Sequence, residues 1–499
     1  MENLQIVAPR ELRFDDPKKA PMSSTKIVSI KPTTSNSVAS GSSSDSIQFK
    51  LPSAGMLKCA SMYVKYDIAV TTTSAGTGAP ATGAIADEYA PDASIFSRMK
   101  VFSSDGTQVS DINNYNQYCS IMNRLKKDKD HASSRGSIVQ GCGMDESLDV
   151  ADFVPEDHQI SHAVQGGSAG DVIAVNALAP RFIEGAGRNH RLLTQGQGAD
   201  GSSLKGDGSV KQTRCHRIQG GLLDAETGHY LPTFAMGSGY QLELQLADAK
   251  EAFRVVANNS LTVLGAVSAV ADASTVSYSL TNIELVVELG FYDSSVFSAV
   301  NSLLCDGIKL RHPRVKTQVN SLTSASNNVQ LSEHGRSINY LVAGCRSTAN
   351  TSSFTKTTAD YLYNVDNTAK VKLFQTQIGS EVLPSQGVSF GAASYLELER
   401  AVSGKNEKFQ IGNQVSANNY FKALASGEKC AGSALFGVSF MSHADHKEVM
   451  SGKSSSSGSI PLSLQLDFTA TPSATDLFSV VVSDQITELL HDGSCIISR

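Results

Sequence analysis

The sequence predicts an all-β protein of two successive halves built on one plan. Three observations lead there. First, several segments alternate apolar and polar residues with a period of two. The strictest sets Ile460, Leu462, Leu464, Leu466 and Phe468 against Pro461, Ser463, Gln465, Asp467 and Thr469, the pattern of a strand with one buried face. Second, only 18% of the chain is charged, below the roughly 25% of soluble domains. Much of the surface is therefore Ser, Thr, Asn, Gln and Gly, which suits β structure and surfaces covered by neighbours, because desolvating a hydroxyl costs less than desolvating an ion. Third, the order strands, hairpin, helix, long loop, strands occurs twice, and 499 residues leave room for two β domains of about 200 residues each.

Residues 1–45, with prolines at 9, 17, 21 and 32 and the tract SVASGSSSDS, read as an extended arm that needs a partner or the body of the fold to order it. SIQFKLP and MLKCASMYVKYDIAV follow as strands, the second with Met62, Val64, Tyr66, Ile68 and Val70 on one face and Tyr63, Lys65 and Asp67 on the other. A Gly/Ala/Pro-rich loop leads to SIFSRMKVFSSDGTQVSDI, where Asp105-Gly106 between β-prone runs signals a hairpin with a type I′ turn. In NNYNQYCSIMNRLKK, Tyr115, Tyr118, Cys119, Met122 and Leu125 fall at helical spacing, a short amphipathic helix. From about 130 to 228 the chain becomes Gly-rich and reads as a long functional loop. Strands return with YLPTF, with Leu242, Leu244 and Leu246, and with Ile283, Leu285, Val287, Leu289 and Phe291.

SSVFSAVNSLL reads as a connecting helix, after which the plan restarts. HPRVKTQVNSL, SINYLVAGCRS and VKLFQTQIGSEVLP are strand candidates, and YLELERAVSG is helix-like. ALFGVSFM, the alternating strand and LFSVVVSDQITELLHDGSCIIS close the chain.

A net charge of −6 excludes a surface built throughout to hold nucleic acid, which needs clustered Lys and Arg. The first 31 residues carry six basic and four acidic side chains, a mildly basic solvated tail. The eight cysteines, Cys59, Cys119, Cys142, Cys215, Cys305, Cys345, Cys430 and Cys495, form no C-x-x-C pair and read mainly as buried thiols of a protein made in a reducing compartment. The opening MENLQIVAPRELRFDD lacks a signal-peptide core, and no apolar run approaches the ~20 residues of a membrane span. A soluble chain made in the cytosol is the expectation.

Candidate chemistry is sparse. Gly196, Gly198 and Gly201 spell G-x-G-x-x-G, but no helix follows to face a pyrophosphate. His158 and His162, behind Glu156 and Asp157, are four apart, yet Gln159 stands where a metalloprotease motif has Glu. His443 and His446 flank Asp445, and Cys215 adjoins His216, each short of the four ligands of structural zinc. No nucleophile elbow, Walker loop or paired-carboxylate motif occurs. The expectation is no catalytic residue, no cofactor and no metal.

The order of elements resembles the double jelly-roll major capsid proteins of the lineage that includes adenovirus hexons, virophages and polinton-like viruses. The stretches that carry the resemblance are IFSRMKVFSSDGTQVSDINNYNQYCSIMNRL, HYLPTFAMGSGYQLELQLADAKEAF, FQTQIGSEVLPS and the terminal SGSIPLSLQLDFTATPSATDLFSVVVSDQITELL. The chain departs from many members in having no Trp. The resemblance implies two tandem eight-stranded jelly-roll sandwiches with short helices and long loops: an arm over 1–45, a first jelly roll over 46–294 with a long insertion around 130–228, a linker helix over 295–306 and a second jelly roll over 307–499. It implies a homotrimeric pseudo-hexagonal capsomer in an icosahedral virion. Loops near 130–228 and 345–370 would face outward, and the arm would run beneath to neighbouring capsomers, a membrane, or penton and minor capsid proteins, without sequence-specific nucleic-acid binding. The alternative, a β-rich attachment or fibre protein, predicts one specialised domain, against the similar plan of the two halves.

Overall fold

The computed structural model describes residues 22–41, 45–74, 84–86, 90, 92–126, 139, 207–224, 230–235, 239–255, 273–354, 371–403, 435–442, 450, 452–455, 461–490 and 494–498. In the first half the strands are Met22–Ile30 (β1), Val38–Ala39 (β2), Ser46–Lys50 (β3), Met56–Lys58 (β4), Tyr63–Ser74 (β5), Ala84–Ala86 (β6), Phe96–Phe102 (β7), Gln108–Asn113 (β8), Asp207–Arg217 (β9), Tyr230–Leu231 (β10), Gln241–Leu246 (β11), Phe253–Val255 (β12) and Ala273–Tyr292 (β13). Its helices are Tyr115–Lys126 (α1) and Ala249–Ala252 (α2). Helix Ser294–Asp306 (α3) leads into Ile308–Leu322 (β14), Ser326–Leu331 (β15), Ile338–Ser347 (β16), Val371–Ile378 (β17), Glu381–Ser389 (β18), Leu435–Ser439 (β19), Leu462–Phe468 (β20), Thr475–Leu489 (β21) and Cys495–Ser498 (β22). Ala349–Ser352 (α4) and Ala392–Ser403 (α5) complete the second half.

All named pairings are antiparallel, and they repeat. The second half stacks β14-β21-β16-β19 over β15-β20-β17-β18, so its eight principal strands run first-eighth-third-sixth in one sheet and second-seventh-fourth-fifth in the other. In the first half β3-β11-β7-β8 reproduces the latter sheet. Its partner sheet is centred on β13, with β1 and β2 along one side, β4 and β5 along the other, and β10 and β9 beyond those. Counting interrupted strands once, the order is again first-eighth-third-sixth. Each half is thus an eight-stranded jelly roll.

One irregularity keeps the first core continuous. Val276, Tyr278 and Leu280 on β13 have even numbers, whereas Ile283, Leu285, Val287 and Leu289 have odd ones, and all are buried. A one-residue slip would turn one set outward. The register shifts between Thr281 and Glu284 opposite β5, and Asn282 adopts φ 53° there, so a bulge restores the face. Asn282 Nδ2 donates to Asp67 Oδ2 at 2.8 Å, which suits Asn to a left-handed position.

Several expectations are corrected. The arm expected over 1–45 holds strand from Met22 onward: Val28 and Ile30 point into the first sandwich beside Val287 and Leu285, so apolar burial on the body of the fold orders the segment. MLKCASMYVKYDIAV is broken by a 3-10 turn at Cys59–Ser61. VKLFQTQIGSEVLP is not one strand but the hairpin β17–β18, turning at Gly379 with φ 61°. The Asp105-Gly106 hairpin exists, but only Gly106 has positive φ (83°), so the turn is type I closed by a left-handed glycine rather than type I′. Asp105 contributes its carboxylate instead, accepting from Thr107 N at 2.9 Å. Pro313 lies within β14, which is tolerated because β14 is an edge strand.

Helix α1 departs most from expectation. Tyr115 through Asn123 are all buried, including Asn116, Gln117, Ser120 and Asn123, the side expected to face water. Their polar groups are matched rather than solvated: Asn116 Nδ2 donates to Ser94 O at 3.2 Å, and Gln219 Nε2 donates to Asn123 Oδ1 at 2.9 Å.

Candidate functional surfaces

Of the residues weighed for chemistry, Gly196, Gly198, Gly201, Glu156, Asp157, His158, Gln159, His162, His443, Asp445 and His446 lie outside the described residues, as do Cys142 and Cys430 and most of the 130–228 loop. Cys215 and His216 are described. They are consecutive on β9 and leave opposite faces of the sheet: Cys215 stands opposite Lys65 on the wetter face, while His216 is wholly buried. They cannot share one metal ion.

His216 instead anchors a closed polar chain. Its Nδ1 is 2.6 Å from Asp92 Oδ2 and its Nε2 is 2.9 Å from Tyr115 Oη. Gln219 N donates to that Tyr115 oxygen at 2.9 Å, and the Asp92 carboxylate, which accepts, places a proton on Nδ1. Tyr66 Oη donates to the Asp92 carbonyl at 2.5 Å. Burial pushes the Tyr66 and Tyr115 phenols well above the usual range. Asp92, Tyr115 and His216 are wholly buried, and the chain of bonds ties β9 to α1 and to the segment around Asp92.

No disulfide joins the six described cysteines. Cys59, Cys119 and Cys345 are buried, Cys215 and Cys495 partly so, and Cys305 is exposed on α3. Burial pushes the Cys345 thiol up to about 12. Burial, with Asp224 nearby, does the same to Cys59.

The most developed construction outside the sandwich cores is the seam between them. In the second half β20 alternates strictly, with Leu462, Leu464, Leu466 and Phe468 inside. β21 does not: Leu477, Phe478, Val480, Val481 and Val482 are all buried, as expected of a strand covered on both faces. Leu477 and Val481 belong to the second core with Leu464 and Leu466, while Phe478, Val480 and Val482 join the cluster that fills the first sandwich. Part of this outer face is closed by α5, whose Leu398 and Ala401 approach Gly437 so closely that a Cβ there would lie 3.0 Å from each. The rest meets the first half.

Polar contacts fix that meeting. β8, an edge strand of the first sandwich, lies against β14, an edge strand of the second. Thr317 Oγ1 donates to Asn113 O at 2.6 Å, and buried Gln485 Nε2 donates to Val109 O at 2.8 Å. The β7–β8 turn also reaches across, Asp105 Oδ2 accepting from Cys495 N at 3.3 Å. Gln117 of α1 is held from two sides: its Nε2 donates to Glu251 Oε1 at 2.9 Å, and its Oε1 accepts from Arg346 Nη1 of β16. Arg346 lies 3.8 Å from the Asp476 carboxylate and 5.9 Å above the Phe478 ring centre. Between β8 and β14 a cleft of about 190 Å³ is lined by Gln108, Asp111, Arg314, Lys316 and Gln485, among others. Burial works against the Asp111 carboxylate, but two hydrogen bonds from Arg98, at 2.8 and 2.7 Å, and its charge outweigh burial and hold its pKa below the usual value. Composition gives no hint of this seam. The non-alternating runs SINYLVAGC and LFSVVV were its one sequence signal.

No protein-family profile and no curated protein matches the chain. Solved structures do. A chain of the Sputnik virophage superposes with a TM-score of 0.58 at 12% identity, covering 100% of this chain and 93% of that one. The Faustovirus major capsid protein gives 0.56 at 11% identity, covering 96% and 93%. The mavirus major capsid protein gives 0.51 at 13% identity, covering 100% and 94%. The fold shared across nearly the whole chain is the double jelly roll.

Proposed function

We propose that the chain is a major capsid protein, three copies of which close into a pseudo-hexagonal capsomer of six jelly rolls that tiles an icosahedral virus shell. The observation that carries this reading is the duplication: two jelly rolls of identical strand order in one chain, joined by a shared apolar seam, in a fold that known capsid proteins share over 93–94% of their length. Two similar wedges per chain and three chains per ring satisfy cyclic closure. The step from fold to role is an analogy of architecture.

In this reading the first jelly roll spans 22–292, and α3 links it to the second, which begins at Ile308. The role is structural rather than catalytic. Its partners are neighbouring capsomers and penton and minor capsid proteins, and the protein is made in the host cytoplasm and resides in the virion. The two halves share one strand order, which disfavours an attachment protein with a single specialised domain.

Light scattering of the purified chain, followed by negative-stain imaging of the main species, tests the proposal. A mass about three times the 52.8 kDa of the chain, with a pseudo-hexagonal outline, is the expected result. An elongated monomer with two unlike lobes would favour the attachment reading.

A further inference from the structure

The cleft at the seam is built in a way that the packing of two sandwiches does not require. It lies where β8 of the first sandwich meets β14 and β21 of the second, and its volume of about 190 Å³ holds roughly six waters at ~30 Å³ each. Gln108, Ser110, Asp111, Arg314, Lys316 and Gln485 supply most of its lining. A space of this size lined by polar groups suits a hydrated guest, whereas an empty void in a fold is apolar.

The charges around the cleft do not balance. Asp111 is taken up by Arg98 through two hydrogen bonds and by Gln108, and Arg314 is taken up by Glu333 at 2.9 Å. Lys316 is left over. It is half-buried, makes no hydrogen bond or ion pair with a described residue, and acts on Asp111 only at a distance. With each lining charge taken together with its partner, three cations (Arg98, Arg314 and Lys316) stand against two carboxylates (Asp111 and Glu333).

A second donor lines the same space. Ser110 Oγ accepts from Leu222 N at 3.2 Å, and only 8% of the residue is exposed. Its hydroxyl proton therefore remains to be donated, and no described residue accepts it. An ammonium and a buried hydroxyl proton, with one surplus positive charge, are completed by an acceptor that carries negative charge.

We propose that this cleft binds a small inorganic oxyanion of the phosphate or sulfate class, with Lys316 supplying the charge and Ser110 a hydrogen bond. Ser110 stands on β8 and Lys316 on β14, so the bound anion bridges the two jelly rolls. Asp111 is the lining group that repels it, and Arg98 offsets that repulsion. The site does not depend on how many copies of the chain associate.

Isothermal titration of sodium phosphate into the full chain at pH 7, against sodium chloride of matched ionic strength, tests the proposal. Saturable binding at one site per chain is expected. In Lys316→Gln the Kd should rise about tenfold or more, the worth of one hydrogen bond to a charged group, with a smaller rise in Ser110→Ala. Asp111→Asn should bind more tightly than the wild type, a gain that misfolding cannot produce. Lys309→Gln, altered at an exposed lysine of β14 outside the cleft, should bind as the wild type does. A higher melting temperature alone does not count, because phosphate and sulfate stabilise folded proteins by exclusion from their surface. Failure to saturate at tens of millimolar phosphate overturns the site, as does equal affinity in the wild type and Lys316→Gln. Weaker binding by Asp111→Asn, with the fold intact by circular dichroism, also overturns it.

Discussion

Asp111 shows how a single side chain couples the seam to solution conditions. Its pKa is held below the ordinary carboxylate value of about 3.9 because the Arg98 hydrogen bonds outweigh the cost of burial. A lowered folded-state pKa contributes stability that is present above the unfolded value and lost as pH falls through the folded one. Acidification from neutral pH to below about pH 4 therefore weakens the pair that lines one side of the cleft. Asp111→Asn removes this titration, so its melting temperature should drop less between pH 7 and pH 3 than that of the wild type. An equal drop in both proteins would assign the acid sensitivity elsewhere. Asn282 works differently at the same scale, since its positive φ and its bond to Asp67 set the bulge that keeps seven apolar residues of β13 in one core.

At the scale of elements, two neighbouring strands obey different rules for one reason, the number of covered faces. β20 has one wet face. Leu464, wholly buried, is therefore expected to cost about 3 kcal/mol on truncation to Ala, while Gln465→Ala on its exposed side should stay within about 0.5 kcal/mol. Chemical denaturation of both variants checks this, and comparable losses would mean that the outer face of β20 is also covered. β21 has no wet face, so it loses the alternation that would announce it as a strand. Helix α1 is the same case with polar residues: an amphipathic pattern read from sequence assumes water on one side, and here the second sandwich and the segment around Gln219 take that place.

For the whole molecule, the seam makes the two jelly rolls interdependent. Val315, Phe478, Val480 and Val482 belong to the cluster that fills the first sandwich, so a fragment beginning at Ser294 would expose them as one apolar patch. Such a fragment is expected in the insoluble fraction on expression. A soluble fragment with a cooperative melt would show that the second jelly roll is a self-sufficient domain.

Strand class, the duplicated order of elements, the hairpin at Asp105-Gly106 and the helices at 115–126 and 294–306 were all legible from period and punctuation, because these depend on near neighbours in the chain. The strand character of 22–30, the two-strand nature of VKLFQTQIGSEVLP and the covered face of α1 were not. β17–β18 is a local hairpin whose only punctuation is Gly379 and the polar residues beside it, whereas the other two are decided by residues far along the chain, β13 for 22–30 and Gln219 and Arg346 for α1. The Asp92–His216–Tyr115 chain was hidden for the same reason: its three members are 101 and 124 residues apart. Local alternation chose strands and a jelly-roll plan; which sheet faces water, which face joins the two halves and which edges stay open follow from long-range burial, where the apolar area removed from water outweighs local preference.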